Sequence, residues 1–102
     1  MREVVWSDDA LDDMDALAVY IAADDPAAAL SVLDRIDPTV GNLSHMPTGR
    51  RGRVAGTYEK PLTGLPYILA YALEHRPGRG ERLVILRVIH GGRHWPEGRW
   101  PE

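Results

Sequence analysis

The chain has 102 residues, of which 44% are apolar, and this length predicts a single domain spanning residues 1–102. It contains no cysteine, which excludes disulfide bonds, thiolate zinc sites and thiol nucleophiles. The net charge of −3 conceals a division. The first 48 residues carry 2 basic and 10 acidic side chains, whereas the remaining 54 carry 10 basic and 5 acidic ones. Such a split predicts either two surfaces with different partners or two halves that neutralise each other within one fold.

No segment has the pattern of a secretory signal, and the apolar runs are too short to predict a membrane span. We therefore expect a cytoplasmic protein that does not associate with membranes. The absence of cysteine is consistent with a reducing compartment.

The first part of the sequence predicts a short strand followed by two helices. Residues 3–6 are rich in β-branched and aromatic side chains, and Ser7 is a good cap for a helix that continues to about Ala23. Asp25 followed by Pro26 starts a second helix. Pro38 lies inside that helix and predicts a kink or a restart there.

The second part of the sequence predicts three strands, at residues 53–59, 67–74 and 83–89. The last two are joined by a Pro–Gly hairpin loop and must be antiparallel. Strict alternation in the last strand places Leu83, Ile85, Arg87 and Ile89 on one face. Because both faces of this strand are apolar, we expect it to be central in its sheet. The fold class is therefore α+β, with two N-terminal helices packed on a mostly antiparallel sheet in the order β-α-α-β-β-β.

Three groups of polar residues are candidates for function: Arg50, Arg51 and Arg53; Arg87; and His90, Arg93 and Trp95. Guanidinium groups bind phosphates and carboxylates, histidine exchanges protons near neutral pH, and tryptophan offers a stacking surface. If the last three strands are neighbours, these groups share one side or end of the sheet.

Plainer interpretations remain open for each group. The arginine loop is equally typical of a solvated surface, and Arg87 fits an ion pair with Glu59 or Glu74. Trp95 also fits a cover over the edge of the core. No metal site is expected, because no third ligand accompanies His90 and His94 at a suitable spacing. No phosphate-binding glycine-rich loop and no serine nucleophile motif is present.

The chain resembles the toxins of the RelE/ParE superfamily, often described as plasmid stabilisation proteins, over nearly its whole length. The resemblance rests on an ordered set of segments rather than on one motif. They are Val5–Ser7, Ala10–Asp13, Tyr20–Ala22, Asp25–Ala29, Gly49–Gly56, Gly64–Tyr71 and Ile85–Pro96.

The resemblance implies the toxin of a bacterial type II toxin–antitoxin system, bound by a cognate antitoxin whose C-terminal segment folds on the toxin. ParE-like members poison DNA gyrase and are not hydrolases, whereas RelE-like members cleave messenger RNA in the ribosome without a metal. Tyr67 and Ile68 stand where RelE-like relatives tend to carry an arginine. The resemblance is therefore to the ParE-like branch, with gyrase as target and no cofactor.

Three functions remain open on this basis. The first is a gyrase poison, which would not be an enzyme. The second is a ribosome-dependent endoribonuclease, for which Arg53, His90 and Arg93 are the catalytic candidates. The third is a non-toxic binding module of the same fold. The residues expected to bind the target or the antitoxin are Arg50, Arg51, Arg53, Tyr67, Arg87, His90, Arg93 and Trp95.

Overall fold

A computed structural model of the chain describes residues 2–101. It contains two helices and five strands in the described range. They are β1 (Glu3–Trp6), α1 (Asp8–Asp24), α2 (Pro26–His45), β2 (Arg50–Arg51), β3 (Tyr58–Pro61), β4 (Tyr67–Arg76) and β5 (Gly80–His90). Two helices packed on a mostly antiparallel sheet confirm the predicted α+β architecture.

The sheet has the strand order β1-β5-β4-β3-β2. Only β1 is parallel to its neighbour, with Glu3 opposite Arg82, and the remaining pairs are antiparallel. The last strand lies between β1 and β4, as its two apolar faces predict. Because β1 is only four residues long, no strand of residues 2–101 lies beside the part of β5 after Ile85 on that edge.

Both helices begin at the predicted residues. The Ser7 hydroxyl accepts a hydrogen bond from the Ala10 N–H at 3.0 Å, and the Asp25 carboxylate accepts from Ala27 and Ala28 at 3.1 and 3.2 Å. The expected restart at Pro38 is absent, and α2 runs through it without interruption. Pro38 lies on the exposed side of α2, where water can replace the backbone donor that proline lacks.

The strand predicted at residues 53–59 is wrong in its position. Residues 53–56 form a turn, and the extended segments on either side are the two-residue β2 and the four-residue β3. Gly56 adopts a φ of 79°, a left-handed conformation that side-chain-bearing residues rarely adopt. Residues 53–56 therefore form a turn in place of the strand that was predicted there.

The two faces of the sheet are covered differently. On the helix side, both helices bury a large apolar cluster that includes Leu69, Tyr71 and Ile85. On the other side, Ile68, Ala70 and Ile89 form a smaller cluster covered by Trp95 and Trp100 from the C-terminal segment. We call these surfaces the helix face and the tail face.

A register irregularity in the central hairpin decides which residues of β5 reach each face. Ala70 pairs with Arg87 and Tyr71 pairs with Ile85, so Leu86 is an extra residue in β5. Such a bulge reverses the side-chain alternation beyond it. The prediction that Arg87 and Ile89 share a face with Leu83 and Ile85 is therefore wrong. Ile89 packs on the tail face, and Val88 packs on the helix face in its place.

Candidate functional site

The structure divides the predicted site residues among three locations and does not gather them at one end of the sheet. Tyr67, His90 and Arg93 line a cavity beside α1. Arg53 and Trp95 lie together over the tail face. The Arg87 guanidinium also lies close to this face, beside the ring of Trp100. Arg50 and Arg51 form the exposed β2 strand at the far edge of the sheet.

The cavity beside α1 has a volume of about 550 Å³ and lies between α1 and the adjoining ends of β4 and β5. Tyr67 and His90 form its floor, with ring centroids 5.4 Å apart and ring planes at 90°. Tyr20 reaches it from α1 and is 72% exposed. We call this cavity, lined by Tyr20, Tyr67, His90 and Arg93 among others, the α1 groove.

Two observations fix the hydrogen-bonding character of the α1 groove. The Gly92 N–H donates to Nδ1 of His90 at 2.9 Å, so the neutral ring carries its proton on Nε2. Burial raises the pKa of the Tyr67 phenol, and the neighbouring Tyr20 raises it further. Tyr67 and His90 are therefore hydrogen-bond donors as well as apolar surfaces, and they suit a partner that offers acceptors.

Arg87 is held by α1 and does not contact either carboxylate expected from the sequence. Its Nε donates to Oδ2 of Asp13 at 2.7 Å and its Nη2 donates to Oδ1 at 3.1 Å. The pairing with Glu59 or Glu74 is therefore wrong, because Arg87 lies on β5 where that strand passes α1. The hydrogen bond to Asp13 raises the pKa of Arg87, and burial opposes this rise.

Asp13 also accepts the Val88 N–H at 2.9 Å. This backbone donor belongs to the part of β5 that has no neighbouring strand on that side. An unpaired strand edge invites pairing with another chain. The carboxylate of Asp13 therefore blocks strand addition at this position while it orients Arg87.

On the tail face, a buried carboxylate organises the arginine loop. Glu59 is 1% exposed, and its Oε1 lies 3.2 Å from Arg50 Nη2 and 3.3 Å from Arg53 Nη1. Its other oxygen accepts the Arg53 backbone N–H at 2.8 Å. Buried carboxylates require such partners to offset their desolvation. Arg53 is therefore held in place by Glu59 and is not an ordinary solvated loop residue.

The C-terminal segment completes this face through a row of cations and rings. The Arg53 guanidinium lies 4.3 Å from the ring of Trp95, which lies 5.8 Å from Trp100. Trp100 lies 5.9 Å from the Arg87 guanidinium. We call these four residues the tail ladder. Glu59 and Asp13 hold its two arginines, so the ladder spans the tail face between two carboxylates.

Trp95 fits the interpretation of a cover over the sheet, because it is 9% exposed and packs against Ile68, Ala70 and Ile89. Its indole N–H is buried without a hydrogen-bond acceptor among residues 2–101. The ring therefore contributes apolar area and a stacking surface for Arg53 rather than a polar contact.

The three catalytic candidates do not form one constellation. His90 and Arg93 line the α1 groove, whereas Arg53 lies on the tail face, bound to Glu59 and stacked on Trp95. A proton-transfer group and the cation that stabilises the phosphate must act on the same reacting group. With Arg53 on the other side of the sheet, only His90 and Arg93 remain together.

Sequence reasoning missed three residues that shape these surfaces. Tyr20 adjoins the apolar stripe of α1 at Leu17 and Ile21, and its position beside that stripe was the available signal. Asp13 is one of several acidic residues of α1, and no local signal in the sequence marks it as the partner of Arg87. For Trp100 the available signal was the sequence Trp-Pro, which occurs both at Trp95 and at Trp100, and the two rings lie beside each other on the tail face.

Within residues 2–101, no group of three or more histidine or acidic side chains is arranged to hold a metal ion. The helices of that range include none long and apolar enough to cross a bilayer.

Comparison with known proteins gives consistent relatives. The model of the ParE toxin of the type II toxin–antitoxin system parDE matches residues 4–95. The curated protein named "Putative toxin Y4kP" of Sinorhizobium fredii (strain NBRC 101917 / NGR234) is 35% identical over 97 residues, which are 94% of this chain and 95% of that protein. A solved structure described as the chromosomal ParDE TA system from P. aeruginosa superposes with a TM-score of 0.74 at 24% identity. It covers 88% of this chain and 96% of its own, and this likeness concerns the fold.

Proposed function

Since this chain belongs to the ParE toxin family of type II toxin–antitoxin systems, we propose that it inhibits bacterial growth by poisoning DNA gyrase. In this proposal it acts in the cytoplasm, by binding and without hydrolytic chemistry. The exposed arginines of β2 and the basic tail face contact the target, and a cognate antitoxin neutralises the toxin.

The observation that carries the non-enzymatic proposal is the separation of Arg53 from His90 and Arg93. Metal-free RNA cleavage needs a base, a proton donor and cations around one phosphate. Here the arginine best placed by sequence for the phosphate is bound to Glu59 at 3.3 Å and stacked on Trp95 at 4.3 Å, on the tail face. Its structural contacts support a recognition surface more than a nuclease site.

The test is a supercoiling and DNA-cleavage assay with purified gyrase and the full chain at micromolar concentration. We expect loss of supercoiling and accumulation of cleaved DNA. Arg51→Gln is expected to weaken inhibition by about tenfold if β2 contacts the enzyme. Arg79→Gln removes the same charge from the turn between β4 and β5 and is the matched control. Unchanged gyrase activity at micromolar toxin would overturn the proposal.

A ribosome-dependent ribonuclease is the second candidate, favoured by one observation. His90, Arg93 and Tyr67 line the same groove, which brings a proton-transfer group, a cation and a hydroxyl together. A translation extract separates the two candidates. The nuclease would be supported if the wild-type protein cleaves messenger RNA and His90→Gln does not. The variant must keep the wild-type circular dichroism spectrum. Intact messenger RNA would exclude it.

For neutralisation, we propose that the C-terminal segment of the antitoxin folds on the toxin in the α1 groove. An unfolded segment gains structure where apolar surface and hydrogen-bond donors are both available. The groove offers the exposed Tyr20 together with Tyr67 and His90. Asp13 blocks strand addition at Val88, so we expect side-chain docking in the groove at this edge and not an added strand.

Calorimetric titration with the gene-adjacent antitoxin tests this docking. An antitoxin truncated before its C-terminal segment should fail to bind. Tyr20→Ala should weaken binding of the full antitoxin by about tenfold, whereas Val19→Ala, at the adjacent and equally exposed position, should not. Full binding by the truncated antitoxin would refute the idea.

A further inference from the structure

A basic and aromatic surface lies on the outer strands of the sheet, at β2 and β3. Tyr58 of β3 pairs with Tyr71 of β4 on one side and with Arg51 of β2 on the other. Directly paired residues lie on one face of a sheet, and so do residues two apart in one strand. Arg51, Tyr58 and Lys60 therefore lie on the helix face, to which Tyr71 belongs. We call these three residues the β3 platform.

Tyr58 gives the platform an aromatic ring that is both fixed and exposed. The ring stacks on Tyr71, with centroids 5.5 Å apart and planes at 24°. Tyr71 is 1% exposed and its hydroxyl donates to the Thr48 carbonyl at 2.6 Å, so it is a rigid support. Tyr58 itself is 38% exposed. Because the fold already orders this ring, a planar ligand that stacks on it does not have to immobilise it on binding.

Two cations flank the ring, and neither has a carboxylate partner among residues 2–101. Arg51 is exposed, and its guanidinium has no hydrogen bond or ion pair within that range. The Lys60 ammonium donates to the Thr48 hydroxyl at 2.9 Å, a neutral group that leaves its charge uncompensated. Arg51 lies directly opposite Tyr58 and Lys60 lies two residues along β3, so both Cα atoms are within about 7 Å of that of Tyr58.

The platform adjoins two cavities, of about 650 and 530 Å³. In the part of the chain that the structure describes, the charged side chains lining these cavities are four cations and two carboxylates: Arg35, Arg51, Arg53, Lys60, Asp34 and Glu97. Glu59 neutralises Arg53, so three cations remain against two carboxylates. Neither carboxylate forms an ion pair with the platform. The balance favours a polyanion at low salt.

We propose that the β3 platform binds single-stranded nucleic acid, with a base stacked on Tyr58 and the flanking phosphates at Arg51 and Lys60. A free phosphate or a glutamate-rich peptide would engage the cations but not the ring. A duplex keeps its bases stacked inside the helix and cannot offer one to Tyr58. The inference goes beyond the proposed function and does not depend on it, because binding is measured without gyrase, ribosome or antitoxin. Tyr58 and Lys60 have no part in the proposed gyrase contact.

The test is fluorescence anisotropy of short labelled single-stranded DNA and RNA of the same sequence, titrated with the full chain at low salt. Two phosphate contacts predict that log Kd rises with log salt concentration at a slope of about 1.4. Lys60→Gln should weaken binding and lower this slope to about 0.7. Tyr58→Leu should weaken binding by about fivefold or more, whereas Tyr58→Phe, which keeps the ring, should stay within about twofold of the wild type.

Two control variants separate the platform from net charge and from other exposed rings. Arg79→Gln removes a cation from the turn between β4 and β5, and Tyr20→Leu removes a ring that is 72% exposed in the α1 groove. Each should change affinity by less than about twofold. The proposal is overturned if Arg79→Gln weakens binding as much as Lys60→Gln, or if Tyr20→Leu weakens it as much as Tyr58→Leu.

The ligand has controls of its own. Absent binding of both oligonucleotides would overturn the proposal, as would equal binding of an oligonucleotide with abasic sites in place of its bases. Displacement by a glutamate-rich peptide as effective as that by unlabelled oligonucleotide would indicate an acidic protein partner instead. Arg51 is exposed, so Arg51→Gln keeps the fold, and unchanged binding by this variant would also contradict the platform even if Tyr58→Leu disturbs β3. The ratio of the DNA and RNA affinities identifies the preferred ligand.

Discussion

The helix face and the tail face of the sheet are covered through different kinds of interaction. Two helices cover the helix face with a continuous apolar cluster around Leu69 and Ile85, both 0% exposed. The C-terminal segment after β5 covers the tail face with Trp95 and Trp100, and ionic contacts to Glu59 and Asp13 hold the arginines beside those rings.

This difference indicates how the chain divides stability from recognition. Apolar burial is non-directional and scales with area, so the helix face supplies most of the folding free energy. Stacked guanidinium groups and ion pairs are directional and partly exposed, and each contributes little to stability. They fix the positions of cations on a surface, which is what a site for anionic or polar partners requires.

The largest expected effect compares adjacent residues of β4 that point to opposite faces. Leu69→Ala should lower the free energy of unfolding by about 3–4 kcal/mol, and Ile68→Ala by about 2 kcal/mol. Leu69 is 0% exposed and Ile68 is 8% exposed under the tail. Urea unfolding followed by circular dichroism measures both. Equal losses would contradict the division between the faces.

The next effect concerns the carboxylate that organises the tail face. Glu59→Gln should cost about 2 kcal/mol, because hydrogen bonds to a buried charged group are stronger than neutral ones. The matched control is Glu74→Gln, whose partner Arg82 lies 2.8 Å away at a more exposed site. That change should cost less than about 0.5 kcal/mol. A Glu59→Gln loss as small as the control would show that the buried network is not needed for folding.

A smaller effect involves the polar anchor on the helix face. The Tyr71 hydroxyl donates to the Thr48 carbonyl at 2.6 Å, and Tyr71→Phe should cost about 1 kcal/mol near neutral pH. Burial raises the pKa of this phenol above its ordinary value, and Tyr58 adds to the rise. The stabilisation is therefore fully present below about pH 10 and is lost as the pH rises through the folded-state pKa.

Urea unfolding at about pH 8 and about pH 10.5 checks this dependence on ionisation. The loss of stability at the higher pH should be smaller in Tyr71→Phe than in the wild type. Tyr67, whose pKa is also raised, accounts for part of the remaining loss. An identical loss in both proteins would rule out Tyr71 as the source.

The smallest effect distinguishes the positive charge of Arg53 from the planar shape of its guanidinium group. Arg53→Lys keeps the charge but loses the planar group stacked on Trp95, and should cost about 0.5 kcal/mol. The more sensitive measurement is tryptophan fluorescence quenching by iodide, which should increase as Trp95 becomes more accessible. Arg79→Lys on the β4–β5 turn is the control. Unchanged quenching in Arg53→Lys would mean that apolar packing alone holds the tail.

Local patterns predicted the elements that depend on local chemistry. The helix caps at Ser7 and Asp25 and the interior position of β5, between two other strands, follow from side chains close in sequence, and the structure confirms them. The turn at residues 53–56 and the reversal of alternation after Leu86 were not predictable in the same way. The left-handed conformation of Gly56 accompanies the turn, whereas strand pairing decided the reversal, since the bulge exists only relative to β4.

The candidate site was predicted as a set of residues but not as an arrangement. Arg53, Arg87 and His90 were chosen for their chemistry, and their separation depends on which face each strand position reaches. The partner of Arg87 lies 74 residues away on α1, and no local signal identifies such a pair. Residue type predicts what a side chain can do, whereas the register of the sheet decides which side chains act together.

The parallel pairing of β1 with β5 also constrains the order of events during synthesis. Glu3 pairs with Arg82 and Trp6 with Ile85, so β1 remains without its neighbour until β5 has been made. Pairings this distant in sequence form late, because a long loop must close first. A nascent chain interrupted before β5 lacks the strand that joins β1 to the rest of the sheet, and we expect it to remain unfolded. Folding, and with it any toxic activity, is thereby coupled to the synthesis of β5.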